Sequence, residues 1–553
     1  MQTKKLKRIG VVLAIAGGGF LFAFSAPGEK YFDIAKSLDI FATLFKEVNT
    51  HYVDEVDPKK LVETGIVGML QQLDPYTDYI PEESRDAFSI QTTGQYAGVG
   101  ALVGIVNKKT VITNPYLGFA AYRAGLKVGD ELVSVDGKNV QGKQSFDVTL
   151  LLKGNPNTDV SVEVKRYGLK ENLKVKLTRE KIKIANIVFQ GMIDADLGYI
   201  KLDEFTLGAA DEVEQAVTKL KQSGAKKLIL DLRDNPGGSL FEAINIVSAF
   251  LPKGKEVVST KGKLEEWNKT YHTLNNPIDT EIPLVILTSG GSASASEIVA
   301  GSLQDYDRAV LVGQKTFGKG LVQTTRQIAY SAQVKITTAK YYIPSGRCIQ
   351  ALDYTHRKND GSVEKFPDSL KREFKTKAGR KVFDGAGLDP DVAISTEEFN
   401  SLLIELVNEG YIFEYASKYC GENPTPPASL KDFKISEAEY KKFTDWVKDQ
   451  RFIHTSEVEK KANDLFASAK NEKFYDAIKA PLTELQNKIT QNRASDWSRY
   501  RHEITSILEE QIGFHYRLTA GQIEVSLTHD KEIAEAKKIL ADPARYKKLL
   551  SPN

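Results

Sequence analysis

The spacing of apolar and polar positions changes along this chain, and each change marks a region. Lys4, Lys5, Lys7 and Arg8 precede a run from Ile9 to Phe24 that is continuously apolar or glycine, followed by Ser25-Ala26-Pro27-Gly28. Basic start, apolar middle and small-residue exit are the three parts of an export signal. The run is shorter than the ~20 residues a spanning helix needs and contains Gly17-Gly18-Gly19, which favours a cleaved signal over an uncleaved anchor. Either form puts the bulk of the protein in the periplasm or cell envelope. From 27 to 92 the apolar residues recur at helical spacing, as in Phe41, Leu44, Phe45 and Val48 and again in Leu61, Ile66, Met69, Leu70 and Leu73, until Asp74-Pro75 stops the second helix. From 93 to 181 the period shortens to short β-runs punctuated by glycine, such as Val111-Ile112-Thr113, Glu131 to Val135 and Val160 to Val164.

Between 182 and 398 apolar strands (Leu228 to Leu232, Leu284 to Leu287) alternate with helices (Ala209 to Lys221, Glu297 to Leu303), the pattern of an α/β layer. The polar stretch 353–383 reads as a surface insertion. From 399 to 553 the chain is charged and helical, broken at Pro424, Pro426 and Pro427, and no internal repeat is evident. A chain of 553 residues exceeds one hydrophobic core, so roughly three to four domains are expected. Lys+Arg at 75 almost cancels Asp+Glu at 73, which removes any electrostatic reason to expect nucleic acid. The two cysteines, Cys348 and Cys420, form no CxxC and sit in no Cys/His cluster. No metal or cofactor is expected, and a bridge between them is neither predicted nor excluded.

Candidate chemistry begins at Ser289-Gly290-Gly291-Ser292-Ala293-Ser294-Ala295-Ser296-Glu297, between a strand and a helix. A small-residue turn there exposes a hydroxyl and aims helix N–H groups at a developing oxyanion. The plainer reading is a helix cap, because Ser294-x-x-Glu297 is a capping-box signature. A second segment, Gly313-Gln314-Lys315-Thr316-Phe317-Gly318-Lys319-Gly320, nearly matches a phosphate-cradling loop. It fails where the chemistry is strict, since Gly320 replaces the magnesium-binding hydroxyl and a strand follows. Serine needs a base. The seven histidines lie outside both glycine-rich segments, and His272 alone falls in the α/β region proper. Lysine serves if burial lowers its pKa from ~10.4 toward neutrality, and strand spacing would put Lys319, Leu321 and Gln323 on one face. A third segment, Asp231-Leu232-Arg233-Asp234-Asn235-Pro236-Gly237-Gly238-Ser239, offers a turn whose N–H groups could complete an oxyanion hole, although Gly-Gly after a strand is usually only a loop.

In combination, D-L-R-x-N-P-G-G, S-A-S-A-S-E, F-G-K-G-x-V-Q and Y-x-P-S-G-R-x-I-Q resemble the C-terminal processing (tail-specific) peptidases, from about Tyr52 to Val392. The resemblance implies a Ser/Lys dyad, with Ser294 as nucleophile, Lys319 as general base and Gln323 in support. It assigns the oxyanion donors to the N–H of Ala295 and the Gly237-Gly238 turn. The three serines are not distinguishable from the residues alone. The β-rich module resembles a PDZ domain: Ala124 to Leu132 is its most recognisable run, and Tyr96-Ala97-Gly98-Val99-Gly100 would be the carboxylate loop, with Gly98, Val99 and Gly100 binding peptide. Lys153 stands where relatives often carry arginine, so any bridge it makes to the catalytic domain would use a point charge instead of a fork.

The expected architecture is therefore α/β multidomain: a Ser/Lys peptidase core with a preceding PDZ domain and helical N- and C-terminal regions. The expected function is an exported serine endopeptidase that takes protein or peptide tails with free, apolar C-termini. The alternative is a PDZ-bearing envelope scaffold with an inert core. The helical flanks are compatible with a homodimer or with docking, and equally with plain solvated helices.

Overall fold

A computed structural model describes residues 27–358, 361–395 and 399–552. The segment read as an export signal lies outside the described residues. Among the described residues, no helix is long and apolar enough to cross a membrane.

The chain divides into two units, one ending at Tyr79 and the other starting at Ile80. The first holds helices α1 (Pro27–His51) and α2 (Pro58–Gln71). Asp57 caps α2 by accepting from the Lys59 and Lys60 N–H groups, and Pro58 supplies the preset first helical turn. Asp74 accepts from the N–H groups of Tyr76 and Thr77, which builds the Asp-Pro stop legible in the sequence.

The second unit opens with α3 (Arg85–Thr93), ended by left-handed Gly94. The β-rich module follows: β1 (Gln95–Gly98), β2 (Ala101–Val106), β3 (Lys109–Pro115), β4 (Glu131–Val135), helix α4 (Ser145–Leu152), β5 (Asp159–Lys165), β6 (Leu173–Thr178) and β7 (Glu180–Lys183). Strands β2-β3-β4-β5-β6 pair antiparallel in that order, leaving β2 at an edge, while β1 pairs with β7. Along β5, Val160, Val162 and Val164 are buried in alternation, the period of a half-buried strand. They meet Val99, Ile112, Leu132, Val148 and Leu152 in a core of the module's own.

The α/β region comprises β8 (Ile187–Met192), β9 (Leu197–Leu202), α5 (Ala209–Gln222), β10 (Lys227–Asp231), α6 (Leu240–Phe250), β11 (Glu256–Gly262), β12 (Lys269–His272), β13 (Leu284–Thr288), α7 (Ala295–Asp305), β14 (Val310–Gly313), β15 (Leu321–Gln327), β16 (Gln333–Tyr342) and β17 (Val392–Ala393). One sheet has the order β8-β9-β10-β13-β14-β17, parallel from β9 onward. In a second group, β15, β16, β11 and β12 pair antiparallel as neighbours. The central strands are apolar throughout because both faces are covered. Helices α5, α6 and α7 bury one face. The stretch read as a surface insertion is two short hairpins, Leu352–Arg357 with Val363–Lys365 and Glu373–Lys375 with Lys381–Phe383. The second is anchored, because Arg380 reaches inward to Asp307 and Asp391.

The C-terminal region forms α8 (Ser401–Asn408), α9 (Tyr411–Glu422), α10 (Glu437–Asp449), α11 (Glu457–Asn471), α12 (Tyr475–Arg499), α13 (Arg501–Ser526), α14 (Lys531–Ala541) and α15 (Pro543–Leu549). These are not plain solvated helices. Leu406, Tyr415, Phe443, Val447, Leu508 and Ile512 bury a core between them, and Ile533, Ala536, Ile539 and Leu540 of α14 cover the other face of the parallel sheet. Glu414 on α9 also ties this region to the β-rich module, accepting from Asn107 Nδ2 (2.7 Å) and Tyr167 OH (2.7 Å) and pairing with Lys109.

Candidate active site

Three neighbouring parallel strands end on the same side of the sheet, and each delivers one of the segments singled out in the sequence. The Asp231–Ser239 turn leaves β10, the serine segment leaves β13, and the lysine segment leaves β14. Open α/β sheets place their sites outside the carboxyl ends of the strands. The loops are cross-laced. Leu232 N–H donates to Leu287 O, Gln314 N–H to Thr288 O, and Phe317 N–H to Ser292 O.

The structure separates the three serines. Ser292 Oγ donates to Leu232 O at 2.8 Å and Ser296 Oγ to Asn235 O at 2.9 Å, and both residues are fully buried. Their hydroxyls tie the segment to the neighbouring turn. Ser294 is half-buried at the first turn of α7, with backbone angles φ 57° and ψ −112°. A non-glycine residue held there costs roughly 1–3 kcal/mol and persists only where its surroundings over-determine it, as they do at functional sites.

Two buried side chains supply that constraint. Glu297, completely buried, accepts through Oε2 from the N–H of both Ser294 and Lys319, each at 2.9 Å. Through Oε1 it accepts from Gly318 N–H (2.8 Å) and Thr316 Oγ1 (2.5 Å). Burial pushes its carboxyl up to about 7 against the pull of those hydrogen bonds. On the carbonyl side, the buried Tyr341 hydroxyl lies 2.6 Å from Lys319 O and 3.2 Å from Ser294 O. One carboxylate and one phenol thus hold the backbones of both residues. Sequence reasoning read Glu297 only as a cap partner and missed Tyr341, which the strand period alone could have marked as inward-facing. Tyr341→Phe should lower turnover roughly tenfold with little change in KM, the cost of about one hydrogen bond, measured by steady-state kinetics.

The third loop meets the serine directly. Gly237 has φ 96°, and a Cβ there would lie 2.6 Å from Ala293 O, 2.8 Å from Ala295 N and 2.9 Å from Ser294 Cβ. Only glycine permits that approach. Asn235 shapes the turn, donating from Nδ2 to Leu202 O and accepting from Gly237 N–H, while its own carbonyl accepts from Ala293 N–H. Gly238 is pressed equally closely against Phe205.

Lys319 is half-buried and precedes β15 instead of lying in it, so strand alternation does not set its direction as the spacing suggested. Gln323 does lie in the strand, where its Nε2 donates to Thr337 Oγ1 at 3.1 Å. His272 is exposed on β12 at the edge of the second strand group. In the β-rich module, Tyr116 N–H donates to Gly100 O and Ala121 N–H to Val99 O, and Phe119 fills the space beside left-handed Gly100. Gly98 ends β1. Lys153 Nζ sits over the Tyr96 ring, 5.6 Å from its centroid, inside the module. Cys348 and Cys420 are both free. Among the described residues no group of three or more His, Cys, Asp or Glu side chains is placed to hold a metal ion.

Four family models match parts of the chain. The model for peptidase family S41 matches residues 196–356, and that for a PDZ domain matches 90–177. A probable PDZ-protease C-terminal helical domain matches 402–540, and the N-terminal domain of the activating protease CtpB matches 25–84. A carboxy-terminal-processing protease of Bartonella bacilliformis is 36% identical over 324 residues, covering 58% of this chain and 74% of the relative. A probable CtpA-like serine protease of Staphylococcus aureus is 34% identical over 369 residues, or 66% of either chain. Among solved structures, the photosystem II D1 C-terminal processing protease is 27% identical, over 64% of this chain and 92% of its own, with a TM-score of 0.34.

Proposed function

The chain belongs to peptidase family S41, with a PDZ domain and the serine-type activity of that family, and on that premise we propose that it is an exported endopeptidase acting through Ser294 and Lys319 on proteins captured by their C-terminal tails. One observation carries the reading. The backbones of Ser294 and Lys319 are held by a single carboxylate oxygen of Glu297, with Gly237 packed against the serine.

In this mechanism Lys319 Nζ, neutral, takes the Ser294 hydroxyl proton as Oγ attacks the scissile carbonyl carbon. The oxyanion is held by the N–H of Ala295 and, in the Gly237-Gly238 turn, by that of Gly238, since Gly237 N–H is given to Asn235 Oδ1. The tetrahedral adduct collapses as Lys319 returns the proton to the leaving amine. Water then attacks the acyl carbonyl while giving a proton to Lys319 Nζ, and the second adduct collapses as Lys319 passes that proton to Ser294 Oγ, releasing the new carboxyl end and the free serine. Gln323 on β15, bonded to Thr337 of β16, orients the lysine. The comparison of Ser294→Ala with the unaltered protein on an unfolded substrate tests this assignment.

Tail capture uses the free edge of β2, where a peptide can add as a further strand while its carboxylate meets the Gly98-Val99-Gly100 loop. Exposed Leu102 on β2 and Phe146 and Leu150, one turn apart on α4, support a preference for apolar termini. Ligand can shift a gate only by binding one form more tightly. A short peptide with a free apolar C-terminus should therefore stimulate cleavage of a separate substrate that lacks a tail, and its amide should do so weakly. Equal stimulation by both peptides, or by neither, would make the module a passive spacer. The inert-scaffold alternative predicts no cleavage under any of these conditions.

A further inference from the structure

We infer that Asp530, the capping residue of α14, positions the oxyanion turn through Arg233, so that the end of the C-terminal region belongs to the catalytic unit. The inference rests on the reading of Ser294 and the Gly237-Gly238 turn given above. Arg233 lies between Leu232, whose carbonyl accepts from Ser292 Oγ, and Asp234, whose N–H donates to Ser289 Oγ at 2.9 Å. Its backbone is therefore part of the loop that packs against the serine segment. Its guanidinium points the other way and is shared. Nε and one terminal nitrogen bind the fully buried Asp231 at 3.0 Å and 2.6 Å, and the other terminal nitrogen reaches Asp530 Oδ2 at 2.8 Å. Glu532 stands 3.5 Å from the same nitrogen, and Lys201 Nζ donates to Arg233 O while lying 3.5 Å from Asp231. A planar fork held on both sides has one orientation, which a single partner would not enforce.

Asp530 is itself rigid. Its Oδ1 accepts from Ile533 N–H as the cap of α14, and Ile533, Ala536 and Ile539 lock that helix on the sheet beneath β10 and β13. The path from a rigid helix to the turn thus crosses only two side chains, those of Asp530 and Arg233. A turn displaced by a fraction of an ångström misplaces the donors at the transition state without changing how substrate tails bind.

Asp530→Asn and Asp530→Ser both retain a capping oxygen for α14 and remove the charge that Asp530 sets against Arg233. Leu406→Ala, at a fully buried position in the separate core of the C-terminal helices, serves as the structural control. We expect both Asp530 variants to lose roughly ten- to a hundredfold in kcat on an unfolded protein substrate, with KM little changed. Labelling of Ser294 by a fluorophosphonate should slow in parallel, with Tm close to that of the parent. Leu406→Ala should lower Tm and keep kcat at 25 °C. Full kcat and labelling in the Asp530 variants would overturn the inference, as would a loss that Leu406→Ala reproduces. Labelling that persists in Ser294→Ala would instead remove the reading of the site on which it rests.

Discussion

Ser294→Ala should abolish cleavage of an unfolded protein, lowering the rate by roughly 10⁴-fold or more, and Lys319→Ala should do the same. The double variant should be no worse than either, because a nucleophile and its base act as one unit. Lys319→Arg should be equally inactive, since a guanidinium cannot be deprotonated to serve as a base. Single-turnover kinetics on one substrate measures all four. The neighbouring serines supply the control. Ser292→Ala and Ser296→Ala each remove a buried hydrogen bond to a backbone carbonyl, at Leu232 and Asn235. Each should cost on the order of 1–3 kcal/mol of stability and retain substantial activity. Loss at Ser292 equal to that at Ser294 would undo the choice of nucleophile. Activity should also rise with pH, because a general base must be neutral.

Glu297→Gln should be the most damaging change outside the dyad, lowering kcat by roughly a hundredfold at pH 8. The carboxylate accepts from Ser294 N–H, Lys319 N–H, Gly318 N–H and Thr316 Oγ1, and an amide replaces one acceptor oxygen by a donor facing donors. Burial raises its folded-state value to about 7 from an ordinary 4.5, which sets activity and stability in opposition. The folded protein binds this proton more tightly than the unfolded chain does. The resulting stability is complete below about 4.5 and is lost as pH rises through about 7, a change on the order of 3 kcal/mol. The ionised form is the one that holds the serine and the lysine, so the activity limb falls on the acid side of about 7 while stability moves the other way. Urea unfolding of the parent and of Glu297→Gln at pH 5 and pH 7.5 checks the sign. The parent should lose stability relative to the variant as pH rises. A difference that stays constant with pH would mean that Glu297 is ionised throughout and does not titrate in this range.

The architecture was legible because its signals are local. The run Val160 to Val164 predicts a strand, and the structure buries Val160, Val162 and Val164 along it; the apolar run Leu284 to Leu287 predicts a strand of an α/β layer, and all four residues are buried. The turn glycines were legible for the same reason, since a strand, a small-residue loop and a helix follow one another directly in the chain. The lysine was harder: Lys319 lies just before β15, where neither strand nor helix period applies, so its place beside the serine comes from the neighbouring strand order. Helical period in the last 150 or so residues predicted helices and not their partners, because an amphipathic stripe does not specify what covers it. Residues alone left Ser292, Ser294 and Ser296 equivalent, spaced two apart in a loop without periodicity, and only the resemblance preferred the middle one. What separates them in space is the neighbouring turn some sixty residues earlier, which takes the hydroxyls of Ser292 and Ser296 through Leu232 and Asn235. Tyr341 reaches the Ser294 and Lys319 carbonyls in the same way, from a distant strand, and Asp530 reaches Arg233 from a distant helix. The chain's own sequence determined which segments carry chemistry, because backbone conformation and burial period are written locally. Tertiary structure alone decided which atoms meet, because hydrogen-bond partners are chosen by folding and not by spacing.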